Sequence, residues 1–119
     1  MTRTSLLEKL INLKGSVDVI MDELNKFNWD SDNELVTLTK QQILNALNNY
    51  IEGRITGTEI ENWANAIESR EDIGREKTHI NLIDQVLYEL ANPYLTEQLT
   101  HERAKILNAK LEESAHFSK

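Results

Sequence analysis

The sequence predicts an all-α protein, a single compact domain of five to six short helices, and three observations carry that prediction. Apolar residues recur three and four positions apart in successive segments, as in Ile43, Leu44, Leu47, Tyr50 and Ile51. Three segments open with a capping-box pattern, Ser5-Leu-Leu-Glu8, Thr39-Lys-Gln-Gln42 and Thr56-Gly-Thr-Glu59. Only one run, Leu35-Val-Thr-Leu38, alternates as a strand does, and it has no evident partner strand, so it reads as an extended connector. A chain of 119 residues with 39% hydrophobic content is large enough for one core and too small for two.

Taken in order, Ser5-Leu-Leu-Glu8 matches a capping box, and Leu6, Leu7, Leu10, Ile11 and Leu13 follow at helical spacing, which predicts a first helix to about Lys14. Gly15 interrupts or bends it. Ser16 then caps a segment in which Val17, Ile20, Met21 and Leu24 share a stripe, so residues 1–34 form a helical hairpin or one kinked helix followed by an acidic loop. Residues 35–112 hold the helical core. Its first helix runs from Thr39 to a C-terminal cap at Gly53, and the next runs from Thr56 with Ile60, Trp63, Ala64 and Ile67 as its buried stripe. After a polar loop through Lys77, the run Ile80, Leu82, Ile83, Val86, Leu87 and Leu90 predicts a helix that is apolar around much of its circumference and therefore central, stopped by Asn92-Pro93. Thr100 caps a last helix carrying Ala104, Leu107 and Leu111, and residues 113–119 are expected to fray.

Charge bounds the partners. The formal net charge is −7, with five basic against eight acidic residues in 1–53, four against eight in 54–91 and four against four in 92–119. Nucleic-acid affinity comes from Lys and Arg displacing counterions at phosphates, so direct binding to DNA, RNA or anionic lipid is not expected, whereas a basic protein is attracted. The absence of cysteine excludes disulfides and thiolate metal sites and suits a cytoplasmic location. Glu8 and Lys9 break the apolar N-terminal stretch that a secretory signal needs, and no run approaches the length of a membrane span.

The arrangements that catalysis requires are missing, so no catalytic residue, metal site or cofactor is expected. His79, His101 and His116 form no HExxH pattern, and no GxSxG is present. Asp30-Ser-Asp32-Asn-Glu34 imitates the start of a calcium loop, but Leu35 stands where its glycine belongs and Gln41 where its bidentate Glu belongs. Gly15, Gly53, Gly57 and Gly74 are too scattered for a phosphate-binding turn. Glu59, Glu61, Glu68, Glu71 and Asp72 supply carboxylates, yet at 100° per residue Glu61 and Glu68 fall away from the arc of Ile60, Trp63 and Ile67 and face solvent, where carboxylates make poor catalytic acids. Trp63 reads as core; Trp29, beside Phe27 and Asp30 in a polar loop, reads as an exposed interface anchor.

Four stretches, Tyr50-Ile-Glu-Gly-Arg-Ile-Thr56, Glu61-Asn-Trp-Ala-Asn-Ala-Ile-Glu-Ser-Arg-Glu-Asp-Ile-Gly74, Glu89-Leu-Ala-Asn-Pro93 and Leu99-Thr-His-Glu-Arg-Ala104, resemble a family of small helical bacterial proteins. Some members look like immunity proteins of contact-dependent growth inhibition systems. The likeness covers residues 35–112. It implies a cytoplasmic protein that binds a cognate toxin domain, often a nuclease, and blocks its active site or substrate access. In that family the shared motifs specify the scaffold and the toxin-binding residues vary, so no functional residue carries over. The chain's own charges suggest the surface: a nuclease must be basic to hold phosphates, and an acidic inhibitor gains steering and complementarity. Asp30, Asp32, Glu34, Glu68, Glu71, Asp72 and Glu76, with Trp29 as anchor, are the expected partner-binding residues. The alternative is a regulatory or adaptor module that meets a protein partner through an exposed helical groove.

Overall fold

The computed structural model describes residues 2–27 and 34–117, with side chains described through residue 113. Among these residues there are six helices: α1 (Arg3–Ile11), α2 (Val17–Leu24), α3 (Lys40–Ile51), α4 (Gly57–Glu68), α5 (Ile80–Ala91) and α6 (His101–Phe117). Two three-residue strands, β1 (Val36–Leu38) and β2 (Ile73–Arg75), and one 3-10 turn, Lys77–His79, complete the regular structure. The protein is all-α in class and folds as one globule.

The caps explain most helix boundaries. Glu59 accepts the Thr56 amide proton at 3.0 Å while Thr56 Oγ1 accepts that of Glu59 at 3.1 Å, so the two satisfy orphan amides at the start of α4. Gln42 Oε1 accepts the Thr39 amide at 2.9 Å ahead of α3. At the end of α3, Gly53 has a φ of +80° and the chain closes a Schellman turn, with the Arg54 amide on the Asn49 carbonyl at 2.8 Å and the Gly53 amide on that of Tyr50 at 3.1 Å. The first helix departs from expectation. Its cap is Thr2, whose hydroxyl accepts the Ser5 amide at 3.1 Å, and Ser5 lies inside the first turn with its own hydroxyl donating to the Thr2 carbonyl. α1 stops at Ile11, because Leu13 takes a left-handed φ of 53° and the Lys14 amide returns to the Lys9 carbonyl. The two N-terminal helices are therefore separate and packed on each other.

Leu35 to Leu38 does have a partner strand. β1 and β2 run parallel, with Val36 opposite Ile73, Thr37 opposite Gly74 and Leu38 opposite Arg75. Parallel strands need a long crossover, and α3 plus α4 supply it. Val36 and Leu38 point into the core and Thr37 points out, as the alternation predicted. The partner was missed because Ile-Gly-Arg carries no strand signature of its own.

The core gathers Leu6, Leu7 and Leu10 of α1, Ile43 and Leu47 of α3, Ile60, Trp63 and Ile67 of α4, Ile83 and Leu87 of α5, and Leu107 and Leu111 of α6. Trp63 is fully buried, and its indole Nε1–H donates to the Leu10 carbonyl at 2.7 Å, fastening α4 to α1. α4 packs along α5, and α3 along α6. α5 is not wrapped on all sides. Ile83, Val86, Leu87, Leu90 and Ala91 are buried, while Ile80, Asp84 and Tyr88 face outward. Thr100 Oγ1 accepts the Arg103 amide at 3.1 Å and opens α6, whose helical backbone continues to Phe117.

Candidate partner-binding surface

The strand pairing sets where several of the expected acidic residues lie. The Leu35 amide donates to the Asp72 carbonyl at 2.8 Å, so Glu34 enters β1 directly beside the turn between α4 and β2. Its carboxylate lies over Gly74, in the space a Cβ at that position would claim. Glu68, in the last turn of α4, and Glu71, in the turn that follows, are exposed. Glu34 thus lies beside the turn that carries Glu71, three residues after Glu68, although α3 and α4 separate them in sequence.

Asp72 corrects the sequence reading. It is 5% exposed and Arg70 is 6% exposed. Arg70 Nε donates to Asp72 Oδ1 at 2.9 Å and Nη2 donates to Oδ2 at 2.8 Å, a two-pronged charge-assisted pair. Arg3 Nε lies 3.6 Å from Oδ2, and the Arg3 guanidinium stands 5.9 Å over the ring of Phe27. A buried guanidinium demands a carboxylate, and Asp72 supplies it, so this residue ties α1 to the end of α4 rather than facing a partner. Glu76 is also largely structural. It is half-buried, its Oε1 accepts the Lys40 amide at 3.2 Å at the start of α3, and its own amide donates to the Leu38 carbonyl at 2.9 Å. Trp29, Asp30 and Asp32 lie outside the described residues.

The fold treats its two signs of charge differently. Of the five arginines, Arg3, Arg70, Arg75 and Arg103 are partly or fully covered and paired with acids: Arg75 with the outward-facing Asp84 at 3.0 Å, and Arg103 with Glu89 through two hydrogen bonds of 2.7 Å each. The Glu89 hydrogen bonds hold the Arg103 proton more tightly than usual, and the charges of Glu89 and Glu97 add to this against the cost of burial. Among the described residues the exposed basic side chains are Lys14, Lys26, Arg54, Lys77, Lys105 and Lys110, and exposed acids far outnumber them. Glu68 also sits in the last turn of α4, which has no basic residue, and Glu71 follows just past the Ser69 cap. A helix C-terminus carries partial negative charge and disfavours acids, so their charge adds to the local potential at a cost in stability.

A second feature was not foreseen in the sequence. A cleft of about 490 Å³ opens between the start of α4 and the connection from α5 to α6. Tyr50, Ile60 and Glu61 line one side and Glu89, Pro93, Tyr94 and Glu97 the other. Thr96 shapes the connection, its hydroxyl donating to the Asn92 carbonyl at 2.8 Å and its amide to the same carbonyl at 3.1 Å. Tyr50 Oη donates to the Leu99 carbonyl at 3.4 Å, and its ring meets His101 edge-on at 5.1 Å. Tyr94 is 97% exposed and Leu95 74%, beside the half-exposed Tyr88. The signal was present: Tyr94-Leu95 is an aromatic and apolar pair in a polar loop after Asn92-Pro93, the same kind of context that singled out Trp29.

No group of three or more His, Asp or Glu among the described residues is placed to hold a metal ion, and no helix among them is long and apolar enough to cross a membrane. No family model, curated protein or solved structure matches the chain, so the resemblance to immunity proteins rests on the quoted motifs alone.

Proposed function

We propose that this chain is an immunity protein that binds a cognate basic toxin domain, a nuclease, in the cytoplasm and covers the surface on which the toxin holds its substrate. The observation that carries the reading is the exposed pair Glu68 and Glu71, the first in the last turn of α4 where a helix least favours an acid, in a fold that leaves only one of its five arginines, Arg54, exposed. A carboxylate that costs stability where it stands is explained by what it meets outside the molecule. Glu34, brought alongside by β1, extends the same negative face. Competition with phosphates for a basic active surface needs no reaction from the inhibitor, only complementary charge and a rigid frame. Trp63, buried and hydrogen-bonded to the Leu10 carbonyl, holds α4 to α1 and so contributes to that frame.

Coexpression with the product of the reading frame immediately upstream tests the proposal. A basic domain of that product should copurify with this chain, and its nuclease activity should be suppressed in proportion to the amount of this chain added. A product that neither copurifies nor is inhibited contradicts it.

The second reading, an adaptor module that meets a protein through a groove, is favoured by the open cleft and the exposed Tyr94 and Leu95. It predicts a partner that is not a toxin and is released by Tyr94→Ala.

A further inference from the structure

We propose that the cleft between α4 and the α5–α6 connection receives an arginine side chain of the basic partner, an inference that rests on the binding reading above and assigns a contact to it. The cleft has three carboxylates in its walls, and they are not equivalent. Glu89 already has both oxygens on Arg103 at 2.7 Å, so its charge is answered within the protein. Glu97 is 59% exposed and meets Arg103 only at 3.7 Å. Glu61 is partly buried, and no basic side chain among the described residues pairs with it. Arg103 answers Glu89 and approaches Glu97, the cleft lining itself contains no basic residue, and a cation from a partner fits the imbalance.

The remaining lining selects the kind of cation. The rings of Tyr50 and Tyr94 flank the cleft, and Pro93 and Leu90 add apolar surface for an aliphatic stem. A guanidinium is planar, donates in a fork to carboxylates and stacks on aromatic faces, whereas an ammonium is a strongly hydrated point charge that uses neither ring well. A second copy of this chain is disfavoured as occupant, since each copy carries a net charge of −7.

Amide chemical-shift mapping with N-acetyl-arginine methylamide tests the site without any toxin. Its citrulline counterpart serves as the uncharged isostere and its lysine counterpart as the alternative cation. Saturable shifts confined to Tyr50 and to residues 57–61 and 89–99, absent with citrulline and weaker with lysine, support the proposal. Glu61→Gln combined with Glu97→Gln should weaken arginine binding by roughly fivefold, the scale of two exposed ion pairs. Tyr94→Ala, at a side chain that touches little of the core, should weaken it further with unchanged thermal unfolding. Equal shifts with citrulline or with lysine, shifts spread over the other acidic faces, or self-association in sedimentation that Tyr94→Ala abolishes would each overturn it. If arginine binds but no basic protein copurifies, the fault lies in the proposed function. A toxin that copurifies and binds the Glu61→Gln/Glu97→Gln variant at full affinity removes the cleft from the interface and leaves the function standing.

Discussion

Arg70 and Asp72, two residues apart where the chain leaves α4, face each other inside the protein through hydrogen bonds of 2.9 and 2.8 Å. Because the pair is buried, removing Asp72 takes away both hydrogen bonds of the Arg70 fork and the negative charge 3.6 Å from Arg3. Asp72→Ala should cost about 3 to 5 kcal/mol of stability, and Arg70→Met combined with Asp72→Leu should recover much of the loss. Urea unfolding of the two variants measures both. A folded Asp72→Ala protein of undiminished stability would mean that the carboxylate faces water.

Trp63 predicts a second, independent loss. Trp63→Phe keeps most of the apolar volume but removes the indole donor to the Leu10 carbonyl and leaves a small void. The expected cost is about 2 kcal/mol, measured by denaturant unfolding. A change of a few tenths would show that the Leu10 carbonyl, which also accepts the Leu13 amide at 3.2 Å, is satisfied without the indole.

Gly53 isolates a backbone effect. Nothing lies within 4 Å of where a Cβ would sit, so Gly53→Ala meets no clash and loses only the freedom to hold a φ of +80°. That should cost about 1 kcal/mol in thermal or denaturant unfolding, with the end of α3 otherwise preserved. Stability equal to the parent would mean that the turn is not left-handed.

The same strength of local signal explains which parts of the fold were legible in the sequence. α3 and α4 were, because each opens with a capping box that leads straight into an apolar stripe, and α3 also ends at a glycine, Gly53. β2 was not, since Ile73-Gly-Arg75 becomes a strand only when β1 arrives from across two helices. Asp72 was misread for a related reason. It follows Glu71 and looks like part of one acidic run, and only the inward turn of Arg70 separates the buried acid from the exposed one. Likewise the outward face of α5, with Ile80 and Tyr88, could not be told from a buried one by hydrophobicity, because the difference is the absence of a covering element. The acidic cleft draws Glu61 and Glu97 from α4 and the last connection, and no local pattern links them.

Glu68 offers a test in which stability and binding move in opposite directions. Replacing it by Lys puts a cation at the carboxyl end of α4, and the variant should be more stable by about 0.3 to 1 kcal/mol in low salt while binding its partner less well. A destabilised Glu68→Lys variant would reveal an inward contact for Glu68 and remove the reason for reading it as a binding residue.

The central claim is that the outward carboxylates at Glu34, Glu68 and Glu71 steer a basic partner, and association kinetics test it most directly. Stopped-flow mixing of the copurified toxin domain with this chain should give an association rate that falls steeply as salt rises. Glu34→Lys/Glu68→Lys/Glu71→Lys should associate at least about tenfold more slowly at low salt and lose most of that salt dependence. If the triple variant associates as fast as the parent at every ionic strength, the carboxylates do not steer the encounter and the account of this surface is wrong.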